Sequence, residues 1–263
     1  MQDSPTDDLP RRKTATGVPL RVGFFGGTFD PPHNGHLALA RMARELLRLD
    51  RVLIAPVASQ PLKLDQQATP YQDRLAMTEL AIAGEPGLEL STLDAPRPDG
   101  SPNYMIDTLG RLRAQMPASA QLFVLCGADA FLSIRQWHRP QDLLMDYPFV
   151  IGARPGFDLS RLAQALPEPL SVAAEENNQP GLLILGLREP RLQRAATAPR
   201  HSRLYLLPDL SNDISATELR AELDARPSLA GAKGGKPSDA LSPAVLAYIR
   251  RHRLYQNRNT AAE

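Results

Sequence analysis

A single cysteine and a single tryptophan occur in the 263 residues. One cysteine forms no internal disulfide, so the chain is no disulfide-stapled scaffold. Cys126 falls in the apolar run 122–126 and reads as a buried, reduced thiol. Neither sign of charge prevails: 30 Lys and Arg face 29 Asp and Glu, for a net +1. This balance removes the electrostatic footprint expected of a nucleic-acid or anionic-membrane binder. No apolar run approaches the ~20 residues of a membrane span. The opening Met1-Gln-Asp-Ser-Pro-Thr-Asp-Asp8 lacks the basic-then-apolar order of a secretory leader. There is no internal repeat. We expect a soluble, cytoplasmic protein that binds neither nucleic acid nor membrane; a homo-oligomer is compatible with the sequence.

What is present is ordinary globular composition, 43% hydrophobic and 22% charged, in a chain long enough to bury a substantial core. Residues 1–19 carry Pro, Asp and the cluster Arg11-Arg12-Lys13, and read as a disordered tail. Apolar runs at 20–25, 52–57, 88–91, 121–125 and 147–152 predict strands. Helical spacing at 34–49, 71–83, 104–116 and 128–135 predicts helices between them. This alternation predicts an α/β fold with a Rossmann-like, doubly wound parallel sheet. Further strands are expected at 182–187 and 204–207, and helices at 215–224 and 243–253. We assign 20–210 to the Rossmann-like domain, 211–255 to a small C-terminal helical part completing the nucleotide site, and 256–263 to a tail. Stretches 189–202 and 226–238 read as loops, solvated or phosphate-reaching.

The first strand runs directly into Gly26-Gly27-Thr28-Phe29-Asp30-Pro31-Pro32-His33-Asn34-Gly35-His36 and then a helix. Two glycines permit a tight turn and close backbone approach to a ligand. The opening helix offers free N–H groups and a positive dipole end, which suit an anion. No Gly-Lys-Ser/Thr and no G-x-G-x-x-G is present, so neither common phosphate loop is in use. Instead, His33 and His36 stand three apart on an opening turn and share a face. Gly35 leaves the space between them open, and two imidazoles can donate to phosphate oxygens. Zinc is the rival reading of a histidine pair. His138, His201 and His252 form no ligand-spaced cluster with it, which disfavours zinc. Farther on, Ile214-Ser215-Ala216-Thr217-Glu218-Leu219-Arg220 has a capping-box pattern, with Thr217 and Arg220 able to face one ligand. Taken alone, it could equally be a capped surface helix.

These residues carry a family resemblance. The stretch 26–37 is similar to the G-G-T-F-D-P-x-H-x-G-H-L motif of bacterial nicotinate-nucleotide adenylyltransferases, and 214–220 to their I-S-S-T-x-I-R. Lys63 in Gln60-Pro-Leu-Lys, Arg74 and Met77 in Asp73-Arg-Leu-Ala-Met, and Asn103-Tyr-Met-Ile-Asp-Thr-Leu109 match in order. Gly127-Ala-Asp129, Trp137, Arg154-Pro-Gly156 and Tyr248-Ile-Arg-Arg-His-Arg-Leu-Tyr255 follow. The resemblance spans 20–255. Ala216 stands where the family has a second Ser, Met105 where it has Thr, and Leu62 where His is common.

The resemblance implies adenylyl transfer from ATP to nicotinate mononucleotide, giving nicotinate adenine dinucleotide and pyrophosphate in NAD biosynthesis. It implies catalytic roles for His33, His36, Lys63 and Arg220. ATP would meet Gly26, Gly27, Thr28, Phe29, His33, His36, Gly127, Asp129, Ile214, Ser215, Thr217 and Arg220. The acceptor would meet Lys63, Tyr104, Met105, Trp137, His138 and Arg154, with the Trp137 ring stacking on nicotinate. A core tryptophan is the plainer reading of Trp137; its polar neighbours Gln136 and His138 favour the exposed one. Mg2+ would travel on the ATP phosphates, with no metal site of the protein's own. Nicotinamide mononucleotide, another phosphorylated acceptor, or a non-catalytic nucleotide sensor remain alternatives. A tRNA synthetase does not, because the K-M-S-K-S loop is absent.

Overall fold

Strand β1 (Arg21–Gly27) is buried on both faces, which is why its sequence is an apolar run and not an alternation. The elements that follow are α1 (Asn34–Leu46), β2 (Arg51–Pro56), α2 (Tyr71–Ile82), β3 (Leu88–Leu90), α3 (Met105–Ala114), β4 (Gln121–Gly127), α4 (Ala128–Phe131), α5 (Pro140–Asp146), β5 (Phe149–Gly152), α6 (Ser160–Ala165), β6 (Ser171–Glu175), β7 (Leu183–Arg188), β8 (Arg203–Leu207), α7 (Ala216–Ala225) and α8 (Pro243–Arg251). The computed structural model describes residues 19–58, 68–158, 160–175, 179–189, 202–208, 210, 215–225 and 240–256. No helix among them is long and apolar enough to cross a membrane.

The strands form one eight-stranded sheet in the order β3-β2-β1-β4-β5-β8-β7-β6. From β3 to β8 every pairing is parallel, as the alternation of strands and helices predicts. The expected Rossmann-like, doubly wound parallel sheet is present, with an antiparallel addition at one edge: β7 runs antiparallel to β8, and β6 antiparallel to β7. A parallel return needs a helical crossover. Among the described residues no helix stands between β6 and β7, and the chain doubles back. Strand β6 and helices α5 and α6 have no counterpart in the sequence reading.

Residues alternate between two cores. Val22 and Phe24 of β1 face α3, α5 and α6 with Leu109, Leu143 and Leu162. Phe25 faces α1 with Leu37, Ala40 and Ala43. A third cluster fixes the C-terminal part: Val245 and Ile249 of α8, Leu219 of α7 and Tyr255 close on Met77 and Ala81 of α2.

The sheet changes winding direction between β1 and β4, where a crevice opens at the carboxyl ends of the strands. One buried cation holds the rim there. Arg74 of α2 is 1% exposed. Its guanidinium donates to the carbonyls of Thr28, Val57, Ala58 and Thr69 at 2.7–3.1 Å. Those of Thr28, Val57 and Ala58 lie just past the ends of β1 and β2, where the ladder no longer serves them, and that of Thr69 lies just before α2. Burial lowers the Arg74 pKa, opposed by the nearby Asp30.

Replacing Arg74 by Met should therefore destabilise the protein by about 3–5 kcal/mol, since it strands several carbonyls and leaves the buried Asp30 without its counter-charge. Urea unfolding followed by circular dichroism measures this. A loss under about 1 kcal/mol, the size of one ordinary hydrogen bond, would mean that the rim does not depend on the guanidinium.

Candidate active site

Helix α1 begins where Pro31-Pro32 ends, because the residue preceding a proline is pushed out of the helical region and the chain can coil only beyond it. His33 is the N-cap, with extended φ −138° and ψ 169°. Its Nδ1 accepts from Gly35 N–H at 3.2 Å, and Nδ1 of His36 accepts from His33 N–H at 3.2 Å. This is a capping box in which two imidazoles take the places of Ser and Glu. An imidazole nitrogen that accepts carries no hydrogen, so in the neutral ring the proton sits on Nε2. Capping thus leaves two Nε2–H donors on adjacent rings, whose centroids are 3.7 Å apart.

Both rings are held neutral. Burial, and then the charge of Arg154, lower the His33 pKa from 6.5 to about 4. Burial, and then His33, put His36 well below its ordinary value. The His36 ring is enclosed by Phe29 at 4.9 Å and Phe25 at 5.9 Å. Phe29 itself is buried in the left-handed region at φ 48°. Its ring lies so close over Gly27 that a Cβ there would stand 3.1 Å from it.

Arg220 reaches the same place from α7. It donates to the Asp30 carbonyl at 2.8 Å and to Thr217 Oγ1 at 3.2 Å. Ser215 and Glu218 make the capping box that their spacing suggests: Ser215 N–H donates to Glu218 Oε2 at 2.7 Å, and Glu218 N–H to Ser215 Oγ at 3.2 Å. Hydrogen bonds from Ser215, and then the charge of Arg154, hold the Glu218 carboxylate below its usual pKa. Arg154, exposed just beyond β5, thus lies within electrostatic reach of both His33 and Glu218.

On the other side of β1 stand the residues expected to meet the acceptor. Tyr104 stacks on His138 at 4.2 Å, linking the start of α3 to the segment before α5. Trp137 is half-buried, with its indole N–H on Ser133 Oγ at 3.2 Å and its ring 6.4 Å from Phe149. It lines the core on one side without being enclosed. Met105 lies directly over β1: a Cβ on Gly26 would come within 2.9 Å of its methyl group. Gly127 caps α4 with an ordinary φ of −73°. A Cβ there would meet no protein atom within 4 Å, so the fold does not demand glycine. Asp129 is exposed in the first turn of α4.

The structure brings together the histidines, Gly26 to Phe29 and Arg220, and places Tyr104, Met105, Trp137 and His138 across β1 from them. Lys63 and Ile214 lie outside the described residues, as do most of the loops 189–202 and 226–238. Sequence reasoning gave no role to Asp30, Arg74 or Tyr255. It also missed Asp94, a buried carboxylate after β3 that accepts from Thr108 Oγ1 at 2.5 Å. Asp30, Arg74 and Tyr255 do lie inside the matched motifs, and that was the available signal. Among the described residues no group of three or more His, Cys, Asp or Glu could hold a metal ion.

The Cytidylyltransferase-like family matches residues 24–222. A protein of Laribacter hongkongensis named "Probable nicotinate-nucleotide adenylyltransferase" is 37% identical over 243 residues, covering 92% of this chain and 97% of its own length. One of the same name from Pelobacter propionicus is 34% identical over 236 residues, covering 90% and 98%. Among solved structures, the Plasmodium falciparum nicotinic acid mononucleotide adenylyltransferase complexed with NaAD superposes with a TM-score of 0.61 at 18% identity, over 90% of this chain and 97% of that one. At that identity the likeness speaks for the fold.

The depressed histidine sets a pH dependence. A His whose folded pKa is about 4 against 6.5 unfolded contributes stability fully present above pH 6.5 and lost as pH falls from there through about 4. Thermal unfolding between pH 7 and pH 4 should therefore lower Tm more steeply for the wild type than for His33→Asn, which keeps a cap but does not titrate. Parallel curves would show that His33 is not held neutral.

Proposed function

The chain belongs to the nicotinate-nucleotide adenylyltransferases, and we propose that it joins ATP and nicotinate mononucleotide, giving nicotinate adenine dinucleotide and pyrophosphate. The observation that carries the division of labour is the pair of imidazoles whose Nδ1 atoms both serve the helix cap. Two preorganised Nε2–H donors are left at a helix N-terminus, beside Arg220.

The acceptor's phosphate oxygen attacks the α-phosphorus of ATP in line. The new P–O bond forms as the bond to the β-phosphate oxygen breaks, and pyrophosphate leaves with that electron pair. No protein nucleophile takes part; positioning and charge stabilisation do the work. His33 and His36 donate to the triphosphate where charge accumulates. Neutral donors fixed in place need no reorganisation at that moment, and each is worth about 3 kcal/mol by comparison with other preorganised donors. Arg220, Ser215 and Thr217 hold the β- and γ-phosphates; the family motifs assign Ile214 to ATP and Lys63 to catalysis, both outside the described residues. Gly26, Gly27, Thr28 and Phe29 give the phosphates a close backbone approach. Gly127 and Asp129 take the adenosine: the space over Gly127 is open, and the Asp129 carboxylate suits a ribose hydroxyl.

Tyr104, Met105, Trp137 and His138 receive the pyridine ring and its carboxylate. Arg154 takes the acceptor phosphate. Its reach to His33 supports a place where that phosphate meets the α-phosphorus. The contact of Met105 with Gly26 sets the two substrate sites against one another across β1. Mg2+ brought in with ATP would be held by the triphosphate and would supply charge neutralisation there. A cytoplasmic location suits the single thiol, buried and with its pKa pushed up to about 12.

With ATP and Mg2+, pyrophosphate release should be fastest with nicotinate mononucleotide and slower with nicotinamide mononucleotide. Release with neither would reject adenylyl transfer to a pyridine nucleotide. In the same assay, Trp137→Ala should raise KM for the mononucleotide roughly tenfold or more, as expected from losing stacking of about 1–3 kcal/mol. KM for ATP should stay near the wild-type value; an equal rise in both would refute stacking at Trp137.

A further inference from the structure

Asp30 lies inside the phosphate loop, yet both its carboxylate oxygens are taken by other parts of the chain. The residue is 4% exposed. Its Oδ2 accepts from Thr69 N–H at 3.1 Å, and its Oδ1 from the hydroxyl of Tyr255 at 2.6 Å. Tyr255 is 225 positions away, beyond the end of α8. It is 3% exposed and sits in the left-handed region at φ 63°, a conformation costly for a bulky residue. A tyrosine that only filled the cluster around Met77, Leu219, Val245 and Ile249 would need neither that backbone nor a short bond to a buried carboxylate.

Asp30 is also where Arg220 attaches, through the carbonyl oxygen at 2.8 Å. One residue therefore ties the loop that carries His33 to α7 by its backbone and to the C-terminal segment by its side chain. Leu219, next to Arg220, packs in the same cluster as Tyr255. The segment after α8 thus joins, through Tyr255, the Asp30 side chain and the cluster that holds Leu219 beside Arg220.

We propose that Tyr255 is a positioning residue for the transfer reaction: its hydroxyl orients the Asp30 carboxylate, and through Asp30 it sets the His33–His36 donors and Arg220 in register. The proposal rests on the adenylyl-transfer reading above. Without the hydroxyl, one oxygen of a buried carboxylate loses its donor beside the Arg74 charge. The carboxylate then turns toward Arg74, and the turn from Asp30 to His33 follows. Displacements of the order of 1 Å at a reacting centre cost about 100-fold in rate.

Tyr255→Phe removes the hydroxyl and keeps the ring. In the full-length enzyme it should lower kcat at least roughly tenfold, within that range, and raise KM for ATP. KM for the mononucleotide should stay within about twofold, because the residues that receive its pyridine ring lie across β1 and Arg154 makes no contact with Asp30 or Tyr255 that the proposal invokes. Ile249→Val, in the same cluster but without a polar contact, is the comparison. It should lower Tm as much or more while leaving kcat and both KM values unchanged. Wild-type kcat and KM for ATP in Y255F, whatever its Tm, would overturn the proposal. So would loss of native circular dichroism in Y255F, since the hydroxyl would then be a requirement of folding. Absence of pyrophosphate release by the wild type would instead remove the underlying reading, so the two failures are distinguishable.

Discussion

The whole arrangement hangs on the Arg74 guanidinium. Parallel strands stop at different points, and each leaves carbonyls that no ladder neighbour serves. At the crest of β1 and β2 these belong to Thr28, Val57 and Ala58, and Arg74 covers all of them together with Thr69. A water layer could satisfy the same carbonyls but would leave the loops free to move. A single planar cation with several fixed donors satisfies them rigidly. Burying it is costly, and the cost is offset only because its donors are so well used and Asp30 stands near. Since Thr28 and Asp30 flank Phe29, the stability of the fold and the shape of the phosphate loop are one requirement.

The same economy governs the histidines. An anion site would be strongest with charged imidazoles, yet burial keeps both neutral, helped by the charge of Arg154 at His33 and by His33 at His36, whose ring lies against Phe25 and Phe29. A neutral Nε2–H is a weaker donor than an imidazolium. Its desolvation costs far less than that of a buried imidazolium, however, and it does not repel Arg220 or Arg154. Fixed tautomers also matter more than charge for a reaction whose catalysis is orientation. The two caps therefore serve helix and chemistry through opposite atoms of each ring.

What the sequence revealed was local. Glycines at a strand end, two histidines three apart and a Ser–Glu pair three apart have geometric consequences that need no knowledge of the rest of the chain. The structure closes the histidine pair and the Ser–Glu pair each within one turn, whereas Gly26 and Gly27 are the last residues of β1, with Met105 and Phe29 packed over them. Apolar runs likewise announced β1, β2, β4 and β5. The antiparallel edge was not legible, because strand direction depends on how the chain returns and not on the composition of Leu183–Arg188. Helix α5 was missed because its seven residues begin at Pro140 after the left-handed Arg139, too short a stretch to show a period. Arg74 and Tyr255 were visible as matched residues, but their partners are backbone carbonyls and a carboxylate far away in the chain. Backbone acceptors look the same under every sequence, so no reading of residue types could have assigned those roles.

The departure at Ala216 can now be weighed physically. In the family pattern a second serine stands there. Here the cap of α7 is complete without it, because Ser215 and Glu218 already exchange both bonds. Alanine in the first turn is favourable for the helix itself. The loss is confined to one hydroxyl on the ligand side. Thr217 is placed to make it good: its oxygen accepts from Arg220, which leaves its own hydrogen free to donate outward. The hydroxyl that remains is thus already polarised by the guanidinium beside it. Under the proposed mechanism, hydrogen bonding to the triphosphate at this helix start falls to Thr217 and to Arg220, itself held by the Asp30 carbonyl.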